Sequence, residues 1–105
     1  MPEYIVVFVT CSSREEGQKI AFGLLNKKLA ACVNIIDGLA SFFTWQGKLD
    51  SANESLLVIK TKANLFNELK KEVKAMHSYD IPEIIGLPII VGEEKYLRWL
   101  DESCR

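Results

Sequence analysis

The stretch Tyr4-Ile-Val-Val-Phe-Val-Thr-Cys-Ser-Ser-Arg-Glu-Glu16 decides the fold of this chain. Residues 4–11 form an uninterrupted apolar run, which predicts a strand that is buried on both faces and central in its sheet. Ser13 and Glu16 have the spacing of a capping box, in which a hydroxyl and a carboxylate bind free amides at a helix start. The stretch therefore predicts a strand followed at once by a helix, which we expect to run to about Leu29.

Further strands follow this first unit along the chain. A second strand is predicted at residues 31–36, and Asp37-Gly38 is typical of a turn or bulge because glycine tolerates positive φ. Leu39 to Trp45 continues as strand, and Gln46-Gly47 marks a reversal. After the polar residues 50–54 the sequence predicts a third long strand, from Ser55 to Lys62.

The last third of the chain predicts two helices and one more strand. Asn64 is a candidate cap for a second helix, whose apolar positions follow the 3.6-residue period at Phe66, Leu69, Val73 and Met76. Ile84 to Val91 is the last predicted strand, and Pro88 confines it to a sheet edge because proline has no ladder donor. A C-terminal helix is expected from Glu93 to Glu102, with Tyr96, Trp99 and Leu100 together on one side.

This order of elements predicts one α+β domain over residues 1–105. Two right-handed crossovers fold a βαββαβ order into a ferredoxin-like sandwich, here with an extra C-terminal helix. Two helices cover only one face of the antiparallel sheet, whereas the strands around Ile5–Val9 and Leu56–Ile59 are apolar on both sides. We therefore expect further copies of the chain to cover the other face and the edges, as a homo-oligomer.

Composition excludes several classes of protein. The chain has 105 residues, 26% of them charged, and a net charge of −1, so it carries no electrostatic footprint for a nucleic acid. No apolar run approaches the length that spans a bilayer, and the start has no signal-peptide pattern. Three cysteines without CxxC spacing indicate a reducing compartment, for which the cytoplasm is the expectation.

The densest polar chemistry lies between His77 and Glu83, after the second helix. An imidazole, the Tyr79 phenol and the carboxylates of Asp80 and Glu83 stand within seven residues. His77 fits two interpretations: a cation stabilised at a helix C-terminus, or a ligand for zinc, copper or nickel. One histidine and one glutamate are a poor ligand set, so a metal site would need a cysteine or a neighbouring subunit.

Other polar or aromatic residues have plain structural explanations beside functional ones. Cys32 suits a buried core position, whereas Cys11, close to a helix N-terminus, is the better candidate for a reactive thiolate. Lys60 within an apolar run is typical of a snorkelling lysine. Phe43 and Trp45 fit packing between strands or subunits better than RNA stacking. The sequence has no P-loop, no triad signature and no arginine-bearing anion loop, so no enzyme is predicted.

Spaced blocks along nearly the whole chain resemble the CutA divalent-cation tolerance proteins. These blocks are Lys28-Leu-Ala-Ala-Cys-Val-Asn-Ile35, Ser41…Trp45-Gln-Gly47, Glu54…Lys60-Thr61, His77-x-Tyr79-x-x-Pro82-Glu83…Leu87-Pro88 and Gly92…Tyr96-Leu-x-Trp99. The resemblance implies a ferredoxin-like homotrimer held by strand contacts, with a likeness to PII-type signalling trimers. It also implies tolerance of divalent cations, copper especially, with weak metal binding at His77, Glu83 and Cys32 and no cofactor required for folding.

The resemblance leaves a second function open and contains two departures. A PII-like trimer would bind a small anionic ligand at clefts between subunits, lined by Trp45, Lys60, His77 and Tyr79. Ser78 stands where the family pattern has proline, which is expected to loosen the backbone that orients the imidazole. Phe43 stands where the pattern has tyrosine, which removes a hydroxyl from the cleft.

Overall fold

Residues 3–105 form four strands, three α-helices and one 3-10 turn. The computed structural model describes residues 3–105, and its elements are β1 (Tyr4–Cys11), α1 (Arg14–Asn26), β2 (Cys32–Trp45), β3 (Lys48–Lys62), a 3-10 turn (Ala63–Leu65), α2 (Phe66–Met76), β4 (Ile84–Pro88) and α3 (Glu94–Ser103). The strand order is β2-β3-β1-β4, and each neighbouring pair is antiparallel. The predicted ferredoxin-like α+β fold is confirmed; the first two residues of the expected domain lie outside the described range.

One face of the sheet packs against α1 and α2. Alternate residues of the two central strands are buried there: Ile5, Val7, Val9, Cys11, Ser55, Leu57, Ile59 and Thr61. A Cβ on Gly17 of α1 would lie 3.0 Å from Leu57 Cδ2, so this helix sits directly on the sheet. The predicted central position of β1 and the placement of both helices on one face are confirmed.

Helix α1 ends at Asn26, three residues before the predicted end. Lys28 has a φ of 56°, and the amides of Lys28 and Leu29 bind the carbonyls of Leu25 and Leu24 at 3.0 and 2.9 Å. This pair of bonds around a left-handed residue is a Schellman ending, which glycine usually supplies. The predicted helix end was wrong because a lysine, unlike a glycine, does not indicate the end of a helix in the sequence.

β2 agrees with its prediction, whereas β3 is longer than predicted. β2 runs without a break from Cys32 to Trp45, and the expected bulge at Asp37-Gly38 is confirmed by a register shift between Ile36 and Leu39. β3 begins at Lys48, not at Ser55, because backbone pairing with β2 extends the polar segment. The paired residues 39–54, called the arm, reach beyond the helices.

The later elements carry two wrong predictions and two confirmed ones. Asn64 lies inside the 3-10 turn, and α2 begins without a side-chain cap, so the predicted cap was wrong. β4 is an edge strand, as Pro88 predicted, although it ends at Pro88 and not at Val91. The stripe of α2 is confirmed, since Leu69 and Val73 are fully buried.

The face of the sheet opposite α1 and α2 is called the open face, and it carries Phe8, Thr10 and Leu56 of the central strands. Helix α3 covers one end of it, because Asp101 accepts a hydrogen bond from Tyr4 at 3.1 Å and pairs with Lys62 at 3.5 Å. No helix within the described part of the chain covers the rest of the open face. None of the helices in residues 3–105 is long and apolar enough to cross a membrane.

Candidate functional site

Both ring nitrogens of His77 are held by backbone groups. The residue directly follows α2 as its C-cap, and its Nε2 lies 2.7 Å from the carbonyl oxygen of Thr10 near the end of β1. Its Nδ1 accepts the amide hydrogen of Tyr79 at 3.0 Å. Because an amide N–H can only donate, Nδ1 is the unprotonated nitrogen of this contact and Nε2 carries the proton that Thr10 accepts. The structure therefore assigns one tautomer to a half-buried imidazole.

Tyr79 joins the histidine to the arm. Its hydroxyl donates to Glu54 Oε2 of β3 at 2.7 Å, and its ring lies 4.7 Å from the His77 ring. Burial, the hydrogen bond to Glu54 and the charge of that carboxylate raise the pKa of the Tyr79 hydroxyl. The phenol therefore stays protonated and acts as a donor that links the turn after α2 to the sheet.

Glu16 binds two segments at once. Its Oε1 accepts the amide and hydroxyl hydrogens of Ser12 at 2.9 and 3.0 Å, and its Oε2 accepts the Ser78 amide at 2.8 Å. Partial burial alone would raise the pKa of Glu16, but these hydrogen bonds lower it to about 2. The predicted capping box is half confirmed: Ser13 Oγ accepts the Glu16 amide, whereas the carboxylate reaches Ser12.

Acid should weaken the fold through Glu16. Its folded-state pKa of about 2 lies below the usual value near 4.5, so its contribution is complete above pH 4.5 and is lost as the pH falls towards 2. After solvent screening we expect this to be about 1 kcal/mol. Between pH 4.5 and 2 the denaturant midpoint of Glu16→Gln should change less with pH than that of Glu15→Gln. Glu15→Gln is a matched charge change at an exposed position in the same turn. Equal pH dependence in the two variants would contradict the assignment.

A groove of about 870 Å³ runs along the open face between the arm and the segment after His77. Aromatic side chains of Phe8, Phe43, Trp45 and Tyr79 line it together with four carboxylates: Asp50, Glu54, Asp80 and Glu83. Among the described residues that line the groove there is no lysine, arginine or histidine. Its volume suits a small molecule, and its charge favours a cation over an anion.

One chain does not gather the three predicted metal ligands. Cys32 begins β2, with its Sγ 3.8 Å from Asn34 Oδ1, while Glu83 is exposed on the groove wall. Within residues 3–105 no three histidine, cysteine, aspartate or glutamate side chains lie close enough to hold a metal ion. A single chain therefore offers no complete site, and metal binding at His77, Glu83 and Cys32 stays a prediction.

The predicted cleft residues separate into two places. Trp45 and Tyr79 line the groove, and Tyr79 also contacts His77. Lys60 is not among the groove-lining residues, and its Nζ donates to Asn34 Oδ1 opposite Cys32. The structure brings together the two aromatic residues of the predicted set but not its lysine.

Cys11 has the surroundings of a core residue. Its side chain is fully buried, and its Sγ contacts the carbonyl oxygens of Ser13 and Ser55 at 3.5 and 3.6 Å. Burial, followed by the negative charge of Glu16, raises its pKa to about 11. A thiol that is buried and protonated is a poor nucleophile and metal ligand, so the reactive-thiolate interpretation is not supported.

Sequence reasoning missed the contact between Glu16 and Ser78. Ser78 was expected to loosen the backbone in place of a proline, but its amide, which a proline would lack, is bound by the Glu16 carboxylate. The two residues lie 62 positions apart in the chain, and the capping pattern already accounted for Glu16 locally. No signal in the sequence indicated the contact.

Comparisons with known proteins match nearly the whole described chain. A family model described as CutA1 divalent ion tolerance protein matches residues 5–103. The chain is 50% identical over 101 residues to chloroplastic Protein CutA of Arabidopsis thaliana, covering 96% of this chain and 56% of that protein. It is 47% identical over 98 residues to the divalent-cation tolerance protein CutA of Thermus thermophilus, covering 93% and 95%.

A solved structure agrees with the backbone as well. The crystal structure of CutA1 from Oryza sativa superposes with a TM-score of 0.96 at 47% identity, covering 99% of this chain and 95% of that one. The chain spans 56% and 57% of the length of the curated Arabidopsis and Oryza relatives that it matches.

Proposed function

Because this chain belongs to the CutA1 divalent ion tolerance family, we propose that it acts in the tolerance of divalent cations, copper among them. In this proposal it is a cytoplasmic homotrimer that binds such ions weakly and catalyses no reaction. The match over residues 5–103, together with the 47% identity to the Thermus protein over 95% of that protein, is the observation that carries the proposal.

Exposed apolar surface on the arm and the open face supports the trimer. In the single chain Phe42 is 81% exposed and Leu49 is 91% exposed, at positions remote from the helices. Trp45 and Phe43 on the groove side of the arm are also exposed. Apolar patches of this kind mark surfaces that another chain covers. Closure around a three-fold axis would cover them without leaving an open end.

The hydrogen bonds of His77 support weak metal binding. An ion that approaches Nδ1 must displace the Tyr79 amide, and one that approaches Nε2 must displace the Thr10 contact. Glu83 offers one exposed carboxylate, and a neighbouring chain would have to supply further ligands. Each ion therefore exchanges existing hydrogen bonds for an incomplete ligand set, which lowers its affinity.

Calorimetric titration of Cu²⁺ and Zn²⁺ tests this function. We expect a saturable heat for the native protein and a loss of affinity of at least about tenfold in His77→Ala and in Glu83→Ala. Glu15→Ala removes an exposed carboxylate at the start of α1 and should change nothing. The metal proposal fails if the native protein gives no saturable heat, or if both ligand variants titrate like the native protein.

The groove supports a second candidate, in which a PII-like trimer binds a small ligand between subunits. Its volume of about 870 Å³ lies within the range of small-molecule sites. Its four carboxylates oppose the anionic ligand first considered, so an anion would need basic groups from a neighbouring chain. A thermal-shift screen with nucleotides and carboxylic acids tests this alternative, because a bound ligand stabilises the folded protein by an amount that grows with the logarithm of the ratio of free ligand to Kd.

A further inference from the structure

We propose that Glu16 is a positioning residue for the imidazole of His77 and that it acts through the backbone N–H of Ser78. The Glu16 carboxylate accepts the hydrogen of that amide at 2.8 Å. Ser78 lies between the residue that carries the ring and the residue whose amide binds it. On one side stands His77 itself, and on the other stands Tyr79, whose amide binds Nδ1 at 3.0 Å. Displacing the Ser78 peptide unit would turn the Tyr79 amide away from the ring.

Three different elements hold these three consecutive residues. Thr10 near the end of β1 binds Nε2 of His77, Glu16 of α1 binds the Ser78 amide, and Glu54 of β3 binds the Tyr79 hydroxyl. Ser78 is exposed, and it is held in place through its backbone amide. Of the three contacts, only the one from Glu16 binds the backbone between His77 and the Tyr79 amide.

Glu16 is itself fixed in the orientation that this role needs. Its other oxygen accepts the amide and the hydroxyl of Ser12, so the carboxylate has little freedom to rotate. Its pKa of about 2 keeps it ionised at ordinary pH, when it can only accept hydrogen bonds. A charged acceptor also makes the bond to the Ser78 amide stronger than a neutral acceptor would.

The consequence is that Glu16, together with the Thr10 carbonyl, fixes which ring nitrogen is available as a lone-pair donor. With the Ser78 amide held, Nδ1 faces the Tyr79 amide and Nε2 keeps its hydrogen. With the amide released, the ring can exchange tautomers and either nitrogen could meet an ion. This effect on metal binding rests on the proposed function, whereas the tautomer assignment does not.

Nitrogen NMR of the single histidine tests the proposal directly in the assembled protein. Glu16→Ala removes the contact, and Glu16→Gln keeps the side-chain length while leaving only one accepting oxygen for the three donor groups now bound. Ser78→Pro removes the amide hydrogen, and Ser78→Ala retains it. The residue before this position already suits proline, because His77 has the extended φ and ψ of −82° and 139° that a residue before proline adopts.

The native protein and Ser78→Ala should show the Nε2–H tautomer alone. Glu16→Ala and Glu16→Gln should each show a second tautomer at roughly one-tenth of the intensity or more. In the Ser78→Pro background, adding Glu16→Ala should leave the tautomer ratio unchanged, because the amide through which Glu16 acts is gone. A single Nε2–H signal in both Glu16 variants would overturn the proposal, as would an equal effect of Glu16→Ala in the proline background.

A parallel zinc titration separates this proposal from the proposed function. If zinc does not bind the native protein but the tautomer responds to Glu16 as expected, the positioning role stands and metal binding at His77 fails. If zinc binding requires His77 but the tautomer ratio is the same with and without Glu16, metal binding stands and the positioning role fails.

Discussion

Replacing Leu57 with alanine should lower the free energy of unfolding by about 3 kcal/mol. Leu57 is fully buried in β3 and pairs with Val9 in the neighbouring central strand. Its Cδ2 approaches the backbone of Gly17 so closely that a Cβ there would lie 3.0 Å away. Because a paired sheet on one side and a helix on the other cannot move into the space, the cavity should remain. Denaturant titration at fixed protein concentration measures the loss.

Phe22 provides the matched control for this prediction. Its side chain is larger but 65% exposed on α1, and Phe22→Ala should change the free energy of unfolding by no more than about 0.5 kcal/mol. Equal losses in the two variants would show that burial against the sheet does not determine the cost. Both variants must be compared at one concentration, since assembly adds to the apparent stability of an oligomer.

Replacing Trp45 with alanine should dissociate the proposed trimer at micromolar concentration. A tryptophan at the centre of an interface commonly contributes about 2 kcal/mol, and a closed trimer contains three copies of each contact. The total loss is then about 6 kcal/mol, or a factor of roughly 10⁴ in the assembly constant. Trp45 is 43% exposed in the single chain and borders the groove, which is the surface that a neighbouring chain would cover.

Light scattering over a dilution series measures this effect. The native protein should keep the mass of three chains, whereas Trp45→Ala should approach the mass of one. Phe22→Ala again serves as control, because its exposed ring lies on the helix layer, away from the open face. A Trp45→Ala protein that keeps the native mass at every dilution would refute the assignment of this ring to a buried contact between subunits.

The candidate site was partly predictable. The concentration of polar groups from His77 to Glu83 indicated the segment that borders the groove, and the family resemblance indicated Trp45 and Tyr79. Within one chain Lys60 does not join these residues, because its Nζ is directed to Asn34. Its place in a cleft between subunits stays a prediction. Side-chain direction on a strand depends on the register with its neighbour, and the sequence pattern around Lys60 did not contain that information.

The sequence by itself determined the class of fold, the central place of β1, the edge place of β4 and the apolar stripe of α2. Each depends on a local pattern: an uninterrupted apolar run, a proline without an amide hydrogen, or a helical period. The tertiary structure decided where α1 ends, how far the arm extends and which groups hold His77. These features depend on backbone geometry and on contacts between distant segments, such as Glu16 with Ser78. Residue type alone does not predict such contacts.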